Sequence, residues 1–161
     1  SQTLDETRRI AYHLRPFQLD RFGLTEAIKV MIHDAEGVSN VKFLSTIESV
    51  DDCFSKESEI SIFRIIQEAV NNVMKHSSAT QAAISIARAR SVVSIRIADN
   101  GKGYSSAVER TENAPSQNHR GGFGIHSIRE RVQILGGTFS ISTGDRGGTN
   151  LDIAIPKQNS K

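Results

Sequence analysis

The stretch Ile62–Phe–Arg–Ile–Ile–Gln–Glu–Ala–Val–Asn–Asn–Val–Met–Lys–His76 carries two patterns on one predicted helix. Ile62, Ile66, Ala69, Val70 and Val73 recur at helical spacing, while Glu68, Asn72, Lys75 and His76 recur at the same spacing on a different stripe. One side packs and the other is available for chemistry. A carboxylate, an amide oxygen and a cation within about two turns suit a magnesium-bound polyphosphate, because Mg²⁺ takes hard oxygen ligands and phosphates need positive charge. Taken alone, the polar stripe is also what a solvated helix face provides. Two glycine-rich segments further along turn the reading toward a site.

Upstream, Leu4, Thr7, Ala11 and Leu14 predict an amphipathic helix over 3–15 that stops where Pro16 disfavours helical geometry at Arg15. Leu24, Ile28, Met31, Ile32 and Ala35 predict a second helix, with Gly37 as its C-terminal stop. Val41, Phe43 and Ile47 share one alternating face around Ser45 and predict a strand. Downstream, strands are expected near 82–88 and 92–98 after the polar turn Ser77–Ser–Ala–Thr80. Val93, Ile95 and Ile97 alternate, so Asp99 arrives on the same face, at the mouth of an apolar layer, where it needs a hydrogen-bonding partner.

Asn100–Gly–Lys–Gly103 then breaks the strand. Residues 104–121 are polar, include Pro115 and hold almost no aliphatic side chains, so a mobile, functional loop is expected there. Gly121–Gly–Phe–Gly124 leads into a helix marked by Ile125, Ile128, Val132 and Leu135 and ended by Gly136–Gly137. A glycine-rich approach to a helix leaves backbone N–H groups able to hold an anion. Strands near 138–143 and 149–155, joined by Gly144–Asp–Arg–Gly–Gly148, close the fold, and Thr149 lies on the core side with Leu151, Ile153 and Ile155. From Lys157 the tail is expected to fray.

Composition narrows the function classes. With 161 residues, 37% hydrophobic and 24% charged, the chain is long enough for one domain with a real core. A formal charge of +2 and 6% aromatic residues give no sign of a nucleic-acid partner. No apolar run approaches the roughly 20 residues that cross a bilayer and no signal peptide opens the chain, so any membrane anchor is expected outside this sequence. A single cysteine, Cys53, excludes an internal disulfide and is consistent with a reducing, cytoplasmic setting.

Four ordered elements carry a family likeness: Glu68–x3–Asn72–x2–Lys75–His76, Asp99–x–Gly101–x–Gly103, Gly122–x–Gly124, and Gly148–Thr149. In this order, with a polar loop between the second and third, they resemble the ATP-binding domain of sensor histidine kinases, built on the GHKL ATPase fold shared with DNA gyrase, Hsp90 and MutL. Arg8–Arg–Ile–Ala–Tyr–His–Leu–Arg–Pro16, Leu19–Asp20, Gly23–Leu24, Gly124–Ile–His–Ser–Ile–Arg–Glu–Arg–Val132 and Gly136–Gly–Thr138 are similar to the nitrate-sensor and desaturase-sensor subgroup.

The resemblance implies an α/β two-layer sandwich, a mixed and mostly antiparallel sheet covered on one face by helices, with a mobile ATP lid over about 104–121. It implies that 1–16 end a second dimerisation helix, 17–157 form the ATP-binding domain and 158–161 are a tail. Asp99 would accept the adenine amino group, supported by Thr149; Gly101 and Gly103 would admit the purine; Asn72 would give its amide oxygen to Mg²⁺. Lys75 and His76 would lie toward phosphate, although a histidine at a helix end is also a common C-terminal cap. Gly122 and Gly124 would hinge the lid and seat phosphates, and Glu68 would orient or deprotonate the attacking group.

The implied activity is transfer of the γ-phosphate of ATP to a histidine on a first dimerisation helix outside this chain, in a homodimeric protein whose response regulator then takes the phosphoryl group. His33–Asp34 has the dipeptide of an acceptor but falls in the predicted helix of the ATPase domain, and His13 lacks an acidic neighbour. His119 and His126 fall near the phosphate end or in solvent. Two other classes fit the same boxes: a gyrase- or MutL-type ATPase in which Glu68 activates water, and an anti-sigma-type serine kinase. A nucleotide-free interaction module sits poorly with intact Asn72, Asp99, Gly101 and Gly103.

Overall fold

The structure, a computed structural model, describes residues 16–104 and 123–158. The expected helix over 3–15, His13, His119, Gly122, all of the expected lid except Tyr104, and residues 159–161 lie outside the described residues. Three helices and five strands follow in the order α1 (Phe17–Val38), β1 (Lys42–Ile47), α2 (Lys56–His76), β2 (Gln81–Arg88), β3 (Val92–Asp99), α3 (Phe123–Ile134), β4 (Thr138–Thr143) and β5 (Thr149–Pro156). The strands form one sheet in the order β1-β2-β3-β5-β4. β1 runs parallel to β2 and the other neighbours are antiparallel. The parallel pair follows from α2, which bridges β1 and β2 as a crossover, whereas tight turns leave β2–β3 and β4–β5 antiparallel.

Alternation along the strands decides which face is covered. Ile84 and Ile86, Val93, Ile95 and Ile97, and Leu151, Ile153 and Ile155 are buried on one side. They meet Leu24, Ile28 and Ile32 of α1, Ile62, Ile66, Ala69, Val70 and Val73 of α2, and Ile128 and Val132 of α3 in one core. The intervening Ser85, Ser94 and Arg96 face solvent. On that outer face Arg96 Nε donates to Asp152 Oδ1 at 2.6 Å across strands β3 and β5, which raises the Arg96 pKa above its ordinary value. The architecture is therefore the expected two-layer α/β sandwich with helices on one face.

Four local expectations change. α2 begins at Lys56, earlier than the apolar pattern implies, because Ser55 caps it by accepting from Ser58 N at 3.3 Å and Glu57 and Glu59 occupy the first turn. α1 begins at Phe17 and turns a corner at Gly23, whose φ of 79° suits glycine. Asp51 holds that corner: its Oδ1 accepts from Thr25 N at 2.9 Å, while Thr25 Oγ1 accepts from Val50 N at 3.0 Å. Gly37 is not the stop of α1, since it keeps helical geometry with open space around its Cα. Ser39 ends the helix instead, its Oγ donating to Ala35 O at 2.7 Å and accepting from Val41 N.

The chain end is the fourth. Lys157 and Gln158 do not fray, because Lys157 N donates to Ser91 O at 2.9 Å and Gln158 makes three bonds at the start of α2. Gln158 N donates to Cys53 O at 2.9 Å, its Oε1 accepts from Ser55 N at 3.0 Å, and its Nε2 donates to Ser58 Oγ at 2.7 Å. The last described residue thus pins the first turn of the helix that carries the polar stripe.

These assignments make a paired stability test. Asp51→Ala removes a cap and should cost about 1 kcal/mol, whereas Gly37→Ala, in a helix with room for a methyl, should gain about 0.5–1 kcal/mol. Urea unfolding midpoints that move in the opposite directions would contradict both readings.

Candidate nucleotide site

The polar stripe of α2 meets the first turn of α3. A methyl added at Gly124 would collide with Glu68 Oε1 and come within 2.9 Å of Asn72 Oδ1 and 3.1 Å of Asn72 Nδ2. Only a residue without a side chain lets the start of α3 approach those two groups so closely. Glu68 and Asn72 are both half-buried there. Asn72 Nδ2 is fully removed from solvent and has no hydrogen-bond partner. A buried, unpaired amide donor costs roughly 1–3 kcal/mol. Lys75 and His76 follow in the last turn and are exposed.

The other expected residues gather at the adjoining strand ends. Asp99 ends β3, half-buried, and its Oδ1 accepts from Gly101 N at 2.8 Å. The β3–β5 pairing runs to Ala98 opposite Asn150, so the next step of the register sets Asp99 opposite Thr149. Gly103 has a φ of 86° and lies against the Thr143 side chain and Gly148 O. Beyond it, Tyr104 O accepts from Thr143 Oγ1 at 2.7 Å.

Three residues to which the sequence assigned only turns or a motif position join the two groups. Ser77, one residue past α2, accepts from Lys102 N at 2.8 Å through its carbonyl, and a side chain at Gly101 would overlap that carbonyl. Asn100 Oδ1 accepts from Thr80 N and Gln81 N, both at 3.0 Å, and its Nδ2 donates to Thr80 Oγ1. Gly148, with a φ of 79°, packs its Cα against the Asp99 carbonyl. Asparagine beside glycine is a turn signal, which hid the role of Asn100 in tying the turn to β2.

The stripe on α2, the start of α3 and the Asp99 turn thus frame one site, with the expected Gly122 outside the described residues. His33 is exposed on α1, and His126 is exposed on α3, where its Nε2 lies 3.1 Å from Glu130 Oε1. Among the described residues no group of three or more His, Cys, Asp or Glu is placed to hold a metal ion.

Residues 57–159 match the family model described as histidine kinase-, DNA gyrase B-, and HSP90-like ATPase. The chain belongs to this ATPase family. It is 31% identical over 154 residues, 96% of its length, to the signal transduction histidine-protein kinase/phosphatase DegS of Brevibacillus brevis. It is 28% identical over 152 residues, 94% of its length, to the sensor histidine kinase LiaS of Bacillus subtilis. The chain spans 38% of the first relative and 39% of the second. Its fold is that of the ATP-binding domain of PrrB from Mycobacterium tuberculosis, with a TM-score of 0.63 at 22% identity, covering 84% of this chain and 94% of that one.

Within this ATPase family the packing at Gly124 is open to direct test. Gly124→Ala should weaken ATP binding about tenfold, or about 1.4 kcal/mol, because the methyl displaces Glu68 and Asn72. Equilibrium dialysis with ATP measures it, and an unchanged dissociation constant would show that the α2–α3 corner lies away from the nucleotide.

Proposed function

We propose that this chain is the ATP-binding catalytic domain of a two-component sensor histidine kinase, which delivers the γ-phosphate of ATP to a histidine on a dimerisation helix. The observation that carries the reading is the buried, unpaired Nδ2 of Asn72 set between Glu68 and the backbone of Gly124. A desolvated donor at a helix N-terminus is what an anionic phosphate oxygen satisfies. The relatives named above supply the class of reaction.

In this reading the residues take the following roles. Asp99 presents a carboxylate oxygen for the amino group of adenine, with Thr149 opposite, and Gly101 and Gly103 keep the turn thin enough for the base. Asn72, Lys75 and His76 are assigned to the phosphates, and Gly122 and Gly124 to the hinge of the lid. Asn72 suits a Mg²⁺ ion that draws most of its ligands from phosphate and water, which is the usual way that Mg²⁺ is held. Bound there, the ion supplies charge neutralisation. Phosphoryl transfer asks mainly for positioning and neutralised charge, so this set of groups is sufficient.

In the transfer itself an imidazole nitrogen forms a bond to the γ-phosphorus as the bond to the ADP oxygen breaks. We assign to Glu68 the task of orienting that imidazole or taking its proton. We place residues 1–16 at the end of a second dimerisation helix and 17–157 in the catalytic domain, the whole working in the cytoplasm as part of a homodimer with a response regulator as the next acceptor. No helix among the described residues is long and apolar enough to cross a membrane.

Labelling separates this reading from its rivals. With γ-labelled ATP and a dimerisation segment bearing the acceptor histidine, the chain should transfer label in an acid-labile, alkali-stable form, and Glu68→Gln should lower the rate by about 100-fold or more. Acid-stable label on a partner would instead indicate a serine kinase. Rapid ATP hydrolysis with no labelled protein would indicate a gyrase- or MutL-type ATPase.

A further inference from the structure

Arg64 is the single buried cation among the described residues, with 6% of its surface exposed. It stands one turn before Glu68 on α2. Burying a guanidinium is costly unless its donors are satisfied, so its position calls for a physical reason. Its Nη1 donates to Gln67 Oε1 at 2.7 Å, and Arg64 and Glu68 are both further engaged. Helical side chains lean toward the N-terminus, so Gln67 and Glu68 lie back over the turn that carries Arg64, at spacings of three and four. Arg64 and Gln67 also wall a cavity of about 290 Å³ whose other side is α1, with Pro16 and Gln18 at its start and Asp34 further on. Arg64, buried and bonded to the half-buried Gln67, therefore stands at the α1–α2 interface at helical spacing from Glu68.

We propose that Arg64 and Gln67 are a positioning pair for Glu68, fixing the catalytic carboxylate from inside the helix interface and not from the nucleotide side. The inference rests on the kinase reading. A planar guanidinium with several fixed donors suits this task, because it can hold two neighbouring side chains in one geometry where a lysine offers a single mobile charge. Nucleotide affinity is set elsewhere, at Asp99 and Asn72, so the pair should govern turnover and leave ATP binding alone.

The test is histidine labelling at varied MgATP in the longer chain that carries the acceptor histidine, for wild type, Gln67→Leu, Gln67→Glu and Arg64→Lys. Gln67 is half-buried, so its variants test the pair even where Arg64→Lys fails to fold. Gln67→Leu should lower kcat by about tenfold or more with KM within about twofold, since it frees the guanidinium from its partner. Gln67→Glu keeps an acceptor for Arg64 and should restore kcat to within about threefold of wild type. An unchanged kcat in Gln67→Leu, or a raised KM at constant kcat, overturns the proposal while the wild type still labels histidine. A wild type that labels no histidine overturns the kinase reading and this inference with it.

Discussion

Asn72 keeps an amide nitrogen away from water with no hydrogen-bond partner among the described residues, and the packing around it holds that group in place. A free-standing helix would let the amide turn outward and hydrate. Here the backbone of α3 closes over it at Gly124, and the apolar side of α2 is locked in the core through Ile62, Ile66 and Val73. The cost of the unpaired donor is carried by that packing.

The same helix is fixed at both ends by residues remote in sequence. Gln158, at the end of the sheet's central hairpin partner, ties the first turn through Cys53, Ser55 and Ser58. At the other end Ser77 receives the turn that follows Asp99. Because β3 and β5 are neighbours, the strand that ends at Asp99 and the strand that leads to Gln158 move together. The Asn72 corner and the Asp99 turn are therefore parts of one frame built on α2.

Much of this was legible in the residues. Period-two alternation of Val93, Ile95 and Ile97, and of Leu151, Ile153 and Ile155, marked strands near 92–98 and 149–155 and their buried face, and the apolar stripe of α2 marked its packing. The side-by-side arrangement of Glu68, Asn72 and Gly124 was legible as an ordered set of motifs, though only the fold shows that they touch. What the sequence hid was long-range. Asp51 capping a helix 26 residues away, and Gln158 capping one 103 residues away from Ser55, leave no periodic trace. Gly37 misled for a related reason: a glycine near a helix end signals a stop only when its φ is positive, and here Ser39 does that work. Buried Arg64 read as one more polar residue, since burial of a cation depends on partners that spacing alone does not reveal.

The central claim is that one nucleotide site joins the Asp99 turn to the Asn72 corner. Calorimetric titration of this chain with ATP, with and without Mg²⁺ and repeated on Asp99→Asn, tests it most directly. The account predicts saturable, Mg²⁺-sensitive binding in the wild type and its loss in the variant. Absence of binding well into the millimolar range, or equal affinity in Asp99→Asn, would contradict it.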